Sequence, residues 1–515
     1  MTFCILRAIV KHFIPAESII FTKSKEIIVD SKSIIITPQA QDFAKDISVK
    51  PAADTQNAPN LVQKGPDPQP ISQLTGAPDL APGQKPDPKK QPSIYGEIPQ
   101  IPVLDAVEGI KFDFNHGIRI LFPQNGKNYH VTFTDIDTGI ILYSADTVPG
   151  AFITSVKKFF IRFRLIIHDK GNDKPIFTHD YDATDKEVMI QLPVGTIGDS
   201  IGWFSYVERF QLKHKCRLVC VMTPWIADIF KKQYPNIKFI TTEETKTYRP
   251  YASYYMGLFF RGDVDNQPID FRYIGLHRTA GYILGLEDTS DIPPRVDLSA
   301  PRKIKEKYVC IAAQSSSQAK YWNNPFGWIT LVQFLKDNGY RVLCIDKEKV
   351  HGIGLNWNYI PYGTEDFTGD IPLQERINLI KDADFFVGLS SGLSWLAWTC
   401  KVPVVMISGF THPTNEFATP YRIINYHTCH SCWNDMRENF DHYDFLWCPR
   451  HKGSDRHFEC TRLISAEQVI NTIKKIPTFR PGEKAKDAEA AKVAEASSKD
   501  ATARDTGAKE GKHKK

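Results

Sequence analysis

An alternation of fully apolar strand-like runs with helix-like runs occurs twice in this chain and limits the possible folds to α/β architectures. The first series begins at residue 186 with EVMIQLPV and GDSIGWFSYVERFQLKH, and the second includes YVCIAAQ, FGWITLVQFLKDNG, YRVLCID and DFFVGLSS. Strands that are apolar on both faces and alternate with helices form parallel sheets covered by helices. We therefore predict two Rossmann-like lobes, at residues 186–300 and 301–478.

The preceding segment, residues 104–185, has a different pattern. Short β-branched and aromatic runs such as GIKFDF, YHVTFTDI and FFIRFRLIIH alternate with turn residues, which predicts a small β-sandwich or barrel. Its Asp135-Ile136-Asp137 triplet matches the DxD motif of metal-dependent transferases. Because the triplet lies on neither Rossmann lobe, we interpret it as a solvated turn.

The flanking segments have little capacity to form a core. Residues 1–50 have no clear assignment. Residues 51–103 are rich in proline, glutamine, aspartate and lysine, and residues 479–515 are rich in lysine, alanine and acidic residues. Such compositions bury too little apolar surface to offset the entropy of ordering, so we predict a disordered linker and a disordered charged tail.

Composition also bears on location and partners. The net charge of +5 is modest for 515 residues and does not indicate nucleic-acid binding. No run approaches the roughly 20 apolar residues of a membrane span, and residues 1–20 make a poor signal peptide. We predict a soluble cytoplasmic protein, in which clustered cysteines favour a metal over disulfides.

The segment VGTIGDSIGW, residues 194–203, lies at a predicted strand-to-helix junction. Gly195 and Gly198 permit a tight turn, and Asp199 lies at the start of the helix. The simpler interpretation is that Asp199 only stabilises the helix terminus. The functional interpretation is a carboxylate at the mouth of an interlobe cleft, suited to act as a general base on a hydroxyl.

A second junction, GLSSGLSWLAW at residues 388–398, places Ser390, Ser391 and Gly392 before a helix. The free amides of a helix N-terminus bind anions, so this turn is a candidate diphosphate site. An ordinary strand-to-helix turn is the alternative, since the GxGxxG and GxxxxGK fingerprints are both absent.

Lys320 lies in the serine-rich loop QSSSQAKYWNN after a predicted strand. A lysine at that position could neutralise a phosphate leaving group as a point charge. Taken alone, it could equally be an ordinary exposed lysine.

Four of the ten cysteines lie in a polar, aromatic stretch rather than in apolar runs. They are Cys429, Cys432, Cys448 and Cys460. A CxxC pair followed by two further cysteines can complete a tetrahedral S4 shell, which suits zinc or iron. Ordinary thiols are the alternative. The aspartates and glutamates interspersed in residues 429–460 argue against a nucleic-acid-binding finger.

Together these features resemble the bacterial autotransporter heptosyltransferases (the TibC and Aah group), which are relatives of the lipopolysaccharide heptosyltransferases. The resemblance covers about residues 108 to 478. It is carried by long blocks that include HDYDATDKEVMIQLPVGTIGDSIGWFSYVERF, GLHRTAGYILG, GLSSGLSWLAW, THPTNEFATPYR and FLWCPRHKG.

The resemblance implies a GT-B fold with an N-terminal β-barrel and an inverting transfer of heptose. The donor would be ADP-glycero-manno-heptose, and the acceptors would be serine hydroxyls on an autotransporter adhesin passenger. Asp199 matches the family's catalytic base and Lys320 its phosphate-binding lysine. The four cysteines match an iron finger, with one structural iron per chain (zinc being the alternative), used in assembling a large homo-oligomer.

The lipopolysaccharide relatives carry an Asp-Thr-Gly-Leu-Ser-His turn where this chain has residues 390–395, SSGLSW. The Asp and His are therefore absent, and only the backbone amide role is retained. We expect the nucleotide sugar to contact Thr196, Ile197, Gly198, Lys320, Ser390, Ser391, Gly392 and Leu393. Two other functions stay open: the same fold acting on another nucleotide sugar, and a non-catalytic metal-finger adaptor.

Overall fold

The computed structural model describes residues 93–170, 172–260 and 264–482, together with two short antiparallel strands, Ile19–Phe21 (β1) and Ile27–Val29 (β2). Residues Met1–Pro68 form one compact unit and Gln69–Lys515 another. All elements from β3 onward belong to the second unit. Apart from β1 and β2, the predictions for residues 1–92 and 483–515 lie outside the described residues.

The segment predicted to be β-rich contains eight strands. They are β3 Leu104–Asp105, β4 Lys111–Asn115, β5 Arg119–Leu121, β6 Tyr129–Asp135, β7 Ile141–Asp146, β8 Phe152–Thr154, β9 Phe163–Asp169 and β10 Pro175–Asp180. Strands β6, β7, β9 and β10 form an antiparallel sheet in the order β10-β9-β6-β7. Alternate residues of β6 and β9 are buried, as expected for strands with one face on a core.

The first lobe has four parallel strands in the order β13-β12-β11-β14. The strands are β11 Glu187–Leu192, β12 Arg217–Met222, β13 Ile237–Ile240 and β14 Ala252–Tyr255, and the helices are α1 Ile197–His214, α2 Pro224–Lys231, α3 Phe271–Ile274 and α4 Arg278–Ile283.

The β-rich segment is not a separate closed barrel. Strand β14 pairs in parallel with β4, and β3, β5 and β8 continue the same sheet, which has eight strands in all. The four-stranded sheet packs onto this extension through aromatic side chains, among them Phe112 against Phe177 and Phe114 against Phe163. The sheet is therefore continuous across the boundary expected between residues 185 and 186.

The second lobe has a parallel sheet in the order β19-β16-β15-β20-β21-β22 and a separate hairpin, β17–β18. The strands are β15 Tyr308–Ile311, β16 Arg341–Cys344, β17 Val350–Ile353, β18 Asn356–Tyr359, β19 Glu365–Asp366, β20 Phe386–Leu389, β21 Val404–Ile407 and β22 Arg422–Ile423. Its helices are α5 Gly327–Asp337, α6 Leu373–Ile380, α7 Gly392–Thr399, α8 Glu459–Arg462 and α9 Ala466–Ile473.

Short 3₁₀ turns occur in several connecting loops. They are Glu243–Thr247, Val264–Asn266, Gln318–Lys320, Pro413–Asn415 and Cys432–Asn434. The last three lie beside the candidate site described below.

The order of the second sheet is that of the doubly wound nucleotide-binding folds, and the first lobe reproduces its first four strands. The all-apolar strand pattern is confirmed, because all four residues of β15, β20 and β21 are buried. Helix α1 begins one residue earlier than its predicted pattern and ends at His214, where Lys215 adopts a left-handed conformation.

Parts of the two segments that were predicted to be disordered are ordered in the described part of the chain. Tyr95 stacks on Tyr255 with ring centroids 4.3 Å apart, and Gly96 exchanges hydrogen bonds with the Gln191 side chain. At the other end, Arg480 pairs with Asp384 and Phe479 stacks on Phe334. Residues 93–103 and 479–482 are thus packed on the lobes. Their few aromatic and arginine side chains make specific contacts that the average composition of each segment does not reveal.

Candidate active site and metal centre

Each sheet reverses its strand order at one point, β11/β14 in the first lobe and β15/β20 in the second. Ligands in open α/β sheets bind outside the carboxyl ends of the strands at such a switch point. Asp199 follows β11, Lys320 follows β15, and Ser390 follows β20. The topology therefore collects the three sequence-predicted loops on the binding edges of the two sheets.

Asp199 lies in the first turn of α1 and is half-buried. Its carboxylate accepts a short hydrogen bond from the Thr196 hydroxyl. Burial raises the pKa of Asp199, against the opposing effects of the Thr196 hydrogen bond and the nearby Lys320 ammonium. A carboxylate with a raised pKa is a stronger proton acceptor, as general base catalysis requires.

Lys320 ends the 3₁₀ turn Gln318–Lys320 and is also half-buried. Burial lowers its pKa, whereas the carboxylates of Asp199 and Glu416 oppose that shift. Its ammonium lies 3.5 Å from the Ser316 hydroxyl and 5.9 Å from the centroid of the Trp433 ring. The lysine therefore lies within electrostatic reach of Asp199 while being mounted on the other lobe.

The turn after β20 places Ser390 and Ser391 before α7. Ser390 is buried, and its hydroxyl donates a short hydrogen bond to Glu416. Ser391 is the N-cap of α7 and makes no side-chain capping bond. The first amides of α7 are therefore available to an anion. Leu393 packs partly into the core.

The N-termini of α1 and α7 meet at glycines. A Cβ at Gly198 would lie 3.0 Å from the Trp395 indole, and a Cβ at Gly392 would lie 2.7 Å from the Ile197 Cβ. The Trp395 indole also lies against Gly202, one turn further along α1. Ile197 and Gly198, both predicted donor contacts, thus take part in the packing between the lobes.

A buried carboxylate beneath the second-lobe turn was not predicted from the sequence. Glu416 is 1% exposed and pairs with Arg422 at 2.6 Å, in addition to accepting from Ser390. Burial raises the pKa of Glu416, but Arg422 and the hydroxyl donors outweigh it, so the pKa lies below its ordinary value. The block THPTNEFATPYR was recognisable, but nothing in the sequence distinguishes this glutamate.

A second unpredicted group joins the lobes. Asp291 accepts a 2.6 Å hydrogen bond from buried His277, pairs with Arg278 at 3.0 Å, and accepts the amide of Ala418 at 2.9 Å. Although burial raises the pKa of Asp291, His277, Ala418 and Arg278 lower it to about 2. His277 and Arg278 come from the recognisable block GLHRTAGYILG, whose pairing with Asp291 the sequence does not show.

The four predicted metal-ligating cysteines line one small cavity. Cys429, Cys432, Cys448 and Cys460 share its walls with Ala319 and Phe410. Burial raises the pKa of Cys460 to about 12, and the neighbouring Cys448 and Cys429 add to the shift. The four cysteines, up to 31 residues apart in sequence, thus line one cavity, but within the described part of the chain they do not form a group of donor atoms within 4.8 Å of one another.

A second donor set overlaps this cavity. The potential ligand atoms of Cys429, His451 and Glu459 lie within 4.8 Å of one another. Glu459 also accepts the amide of Cys429 at 2.9 Å and pairs with Arg456 at 2.6 Å. Since these contacts use the Glu459 carboxylate, it supports the main chain at Cys429 whether or not it binds a metal.

Two further expectations concern the rest of the chain. Asp135 ends β6 and Asp137 lies in the turn that follows; Asp135 accepts hydrogen bonds from the amide of Asp137 and from the Thr138 hydroxyl, and Asp137 pairs with Arg162. Within the described part of the chain, no helix is both long and apolar enough to cross a membrane.

Comparisons with known proteins match separate parts of the chain to two family models. The family model "Glycosyltransferase TibC, N-terminal domain" matches residues 107–171, and the model "Glycosyltransferase family 9 (heptosyltransferase)" matches residues 287–437. The autotransporter heptosyltransferase Aah of Escherichia coli is 52% identical over 381 residues, which cover 74% of this chain and 96% of Aah. The chain belongs to the autotransporter heptosyltransferases.

Two further relatives bear on this heptosyltransferase. One is TibC of enterotoxigenic E. coli, whose crystal structures are described as those of a dodecameric, iron-containing heptosyltransferase, one of them in complex with ADP-D-beta-D-heptose. Its sequence is 52% identical to this chain, and the structures match with a TM-score of 0.71 over 74% of this chain and 98% of TibC. The protein named inactive autotransporter heptosyltransferase BimC of Burkholderia thailandensis is 40% identical over 73% of this chain and 88% of BimC. This autotransporter heptosyltransferase is therefore a family glycosyltransferase with the α/β fold and N-terminal β-rich domain of TibC.

Proposed function

We propose that this chain transfers heptose from ADP-glycero-manno-heptose to serine hydroxyls on the passenger of an autotransporter adhesin, with inversion at the anomeric carbon, on a GT-B-type pair of lobes. The observation that carries the proposal is the approach of Asp199, on the first lobe, to Lys320, on the second, at the two switch points. A base and a cation on opposite lobes suit an acceptor and a donor that meet between them.

In this mechanism Asp199 removes the proton of the acceptor serine as its oxygen attacks the anomeric carbon. The bond from that carbon to the diphosphate oxygen breaks, and ADP leaves with the electron pair. Lys320 and the first amides of α7, beyond Ser391, stabilise the charge on the departing diphosphate. Thr196, Ile197, Gly198, Ser390, Gly392 and Leu393 would line the donor site.

The thiol set fits a structural metal at residues 429–460, which we call the metal finger. Cys429, Cys432, Cys448 and Cys460 would hold one iron per chain, or zinc, with no ligand position left for substrate. A bound metal would supply folding energy to the metal finger, because the small apolar cluster of this short segment is shared with Ala319 and Phe410 outside it.

The relatives also bear on assembly and location. We infer a large homo-oligomer because TibC is described as dodecameric. We propose a cytoplasmic location because the nucleotide-sugar donor and reduced thiols belong there.

One alternative has a specific observation in its favour. The 40% identity to a relative named inactive is compatible with a non-catalytic adaptor built on the same fold. Another nucleotide sugar on the same site is the alternative within enzymes.

A donor panel separates these possibilities. The purified protein would be incubated with a separately purified adhesin fragment and ADP-heptose, ADP-glucose or UDP-glucose, and the intact mass of the fragment measured. Heptose addition from ADP-heptose supports the proposal, addition from another donor supports the enzymatic alternative, and an unchanged mass with every donor supports the adaptor.

A further inference from the structure

One turn of 3₁₀ helix connects three parts of the molecule. Successive residues of such a turn point about 120° apart, because it has three residues per turn. In the turn Cys432–Asn434, Cys432 lines the cysteine cavity, the Trp433 ring lies beside the Lys320 ammonium, and Asn434 donates to the carbonyl of Arg272 on the first lobe at 3.2 Å.

Trp433 is held firmly in this position. Its indole N–H donates to the Asn415 side chain at 3.1 Å, and its backbone N–H donates to the carbonyl of Phe410 at 3.2 Å. The ring also packs against Phe271 of the first lobe, with centroids 6.1 Å apart, and against Phe440 of the metal finger, at 5.1 Å. Because these contacts fix the indole on several sides, its ring offers a fixed aromatic face to the Lys320 ammonium.

Lys320 depends on the metal finger at two places. Its ammonium lies 5.9 Å from the centroid of the Trp433 ring, within the range in which an aromatic face attracts a cation. The preceding residue, Ala319, lines the cysteine cavity, and the amide of Gln318 donates to the carbonyl of Phe445 in the metal finger at 2.9 Å. The loop that presents the lysine is therefore built partly on the metal finger.

We propose that Trp433 is a positioning residue for Lys320, and that metal binding to the metal finger thereby sets the diphosphate affinity of the donor site within each chain. The inference rests on the proposed function, since it takes Lys320 as the diphosphate ligand. It gives the metal finger a role in the donor site besides any role in assembly. Cys432 and Trp433 are adjacent, so an ordered thiol fixes the backbone that carries the indole.

The first test compares Trp433→Leu and Trp433→Phe with a matched exposed control, Trp357→Leu, in the hairpin β17–β18. We expect Trp433→Leu to weaken ADP binding about three- to tenfold, the range of a cation–aromatic contact at a partly desolvated site. Trp433→Phe should weaken ADP binding less, because an aromatic face is retained. Trp357→Leu should bind ADP with the affinity of the wild type. Calorimetry gives ADP affinity, elemental analysis the metal content and light scattering the mass.

A chelation cycle tests the coupling itself. Metal removal should weaken ADP binding by the wild type and have a smaller additional effect on Trp433→Leu, because the two changes act through one side chain. Equal losses in both proteins, or unchanged ADP affinity in a metal-loaded Trp433→Leu, would overturn the inference. If Trp433→Leu loses its metal, the ADP affinity of metal-loaded Trp433→Phe is compared with that of the wild type instead, and an unchanged value overturns the inference. A wild type that binds no ADP would instead remove the proposed function, and this inference with it.

Discussion

Gly198 and Gly392 bring the N-termini of α1 and α7 into contact across the two lobes. A Cβ built on Gly198 would lie 3.6 Å from the Cα of Gly392, and one on Gly392 would lie 3.3 Å from the amide nitrogen of Gly198. Both helix N-termini carry partial positive charge. The amides that we propose bind the diphosphate and the proposed base on the other lobe are therefore held at a spacing that only small residues permit.

Replacing Gly392 by alanine should disturb this spacing. The new Cβ would come within 2.7 Å of the Ile197 Cβ, so the helices must separate, and overpacking of this kind costs about 1–3 kcal/mol. We expect a lower melting temperature and a loss of transfer activity. Gly195→Ala is the control for stability, since its Cβ would meet nothing nearer than 3.5 Å. Equal melting temperatures for the two variants would contradict the packing argument.

Asp199→Asn should abolish transfer without destabilising the fold. Loss of a general base typically costs about 10²–10⁴-fold in rate. Because burial raises the pKa of Asp199, the charged carboxylate opposes folding, and this destabilisation grows as pH rises through the folded pKa. At neutral pH the melting temperature of Asp199→Asn should equal or exceed that of the wild type. A clearly lower value would return Asp199 to a purely structural role.

The pH profile of the wild-type enzyme gives a separate check on this base. Transfer should fall with decreasing pH as Asp199 is protonated, with a midpoint above the ordinary value of about 3.9 for aspartate, because burial raises this pKa. The measurement is kcat/KM against pH, over the range in which circular dichroism shows the fold intact. A pH-independent rate would exclude Asp199 as the base.

Lys320→Ala should weaken ADP binding and transfer together, and Lys320→Arg should restore only part of either. A planar guanidinium does not reproduce a compact ammonium in a confined position. Calorimetric titration with ADP measures the first effect, and initial rates measure the second. Lys303→Ala, at an exposed lysine paired with Glu375, is a matched control. ADP affinity unchanged in Lys320→Ala would remove this lysine from the donor site.

Cys448→Ser should release the metal and disorder the metal finger while leaving both parallel sheets folded. Within the metal finger only a few apolar side chains, among them Trp447 and Phe458, are buried, and they pack on Phe410 outside it, so most of its stability would come from the metal. Cys216→Ala is the control, since that buried thiol lies in the first lobe. Elemental analysis, light scattering and limited proteolysis report the outcome. Full metal content in Cys448→Ser would exclude Cys448 as a ligand.

The sequence predicted what is encoded locally and missed what depends on distant loops. Ser390 directly follows an apolar strand, and Asp199 and Lys320 lie in the first loop or helix turn after one, so the strand pattern locates all three near the binding edge. Glu416 becomes part of the site only because a loop 26 residues from Ser390 folds back beneath it. The pairing of β4 with β14 is likewise a contact between distant segments, and strand runs carry no signal for such a partner.

The central claim is that this chain transfers heptose to serine, with Asp199 on one lobe as the base and Lys320 on the other as the diphosphate ligand. The most direct test is intact-mass analysis of a purified autotransporter passenger fragment after incubation with ADP-heptose and either the wild-type protein or Asp199→Asn. We predict that the wild type adds heptose units to the fragment, that tandem mass spectrometry locates them on serine, and that Asp199→Asn adds none at equal protein concentration and equal metal content. Transfer by Asp199→Asn at the wild-type rate, or no heptose added by the wild type, would contradict it.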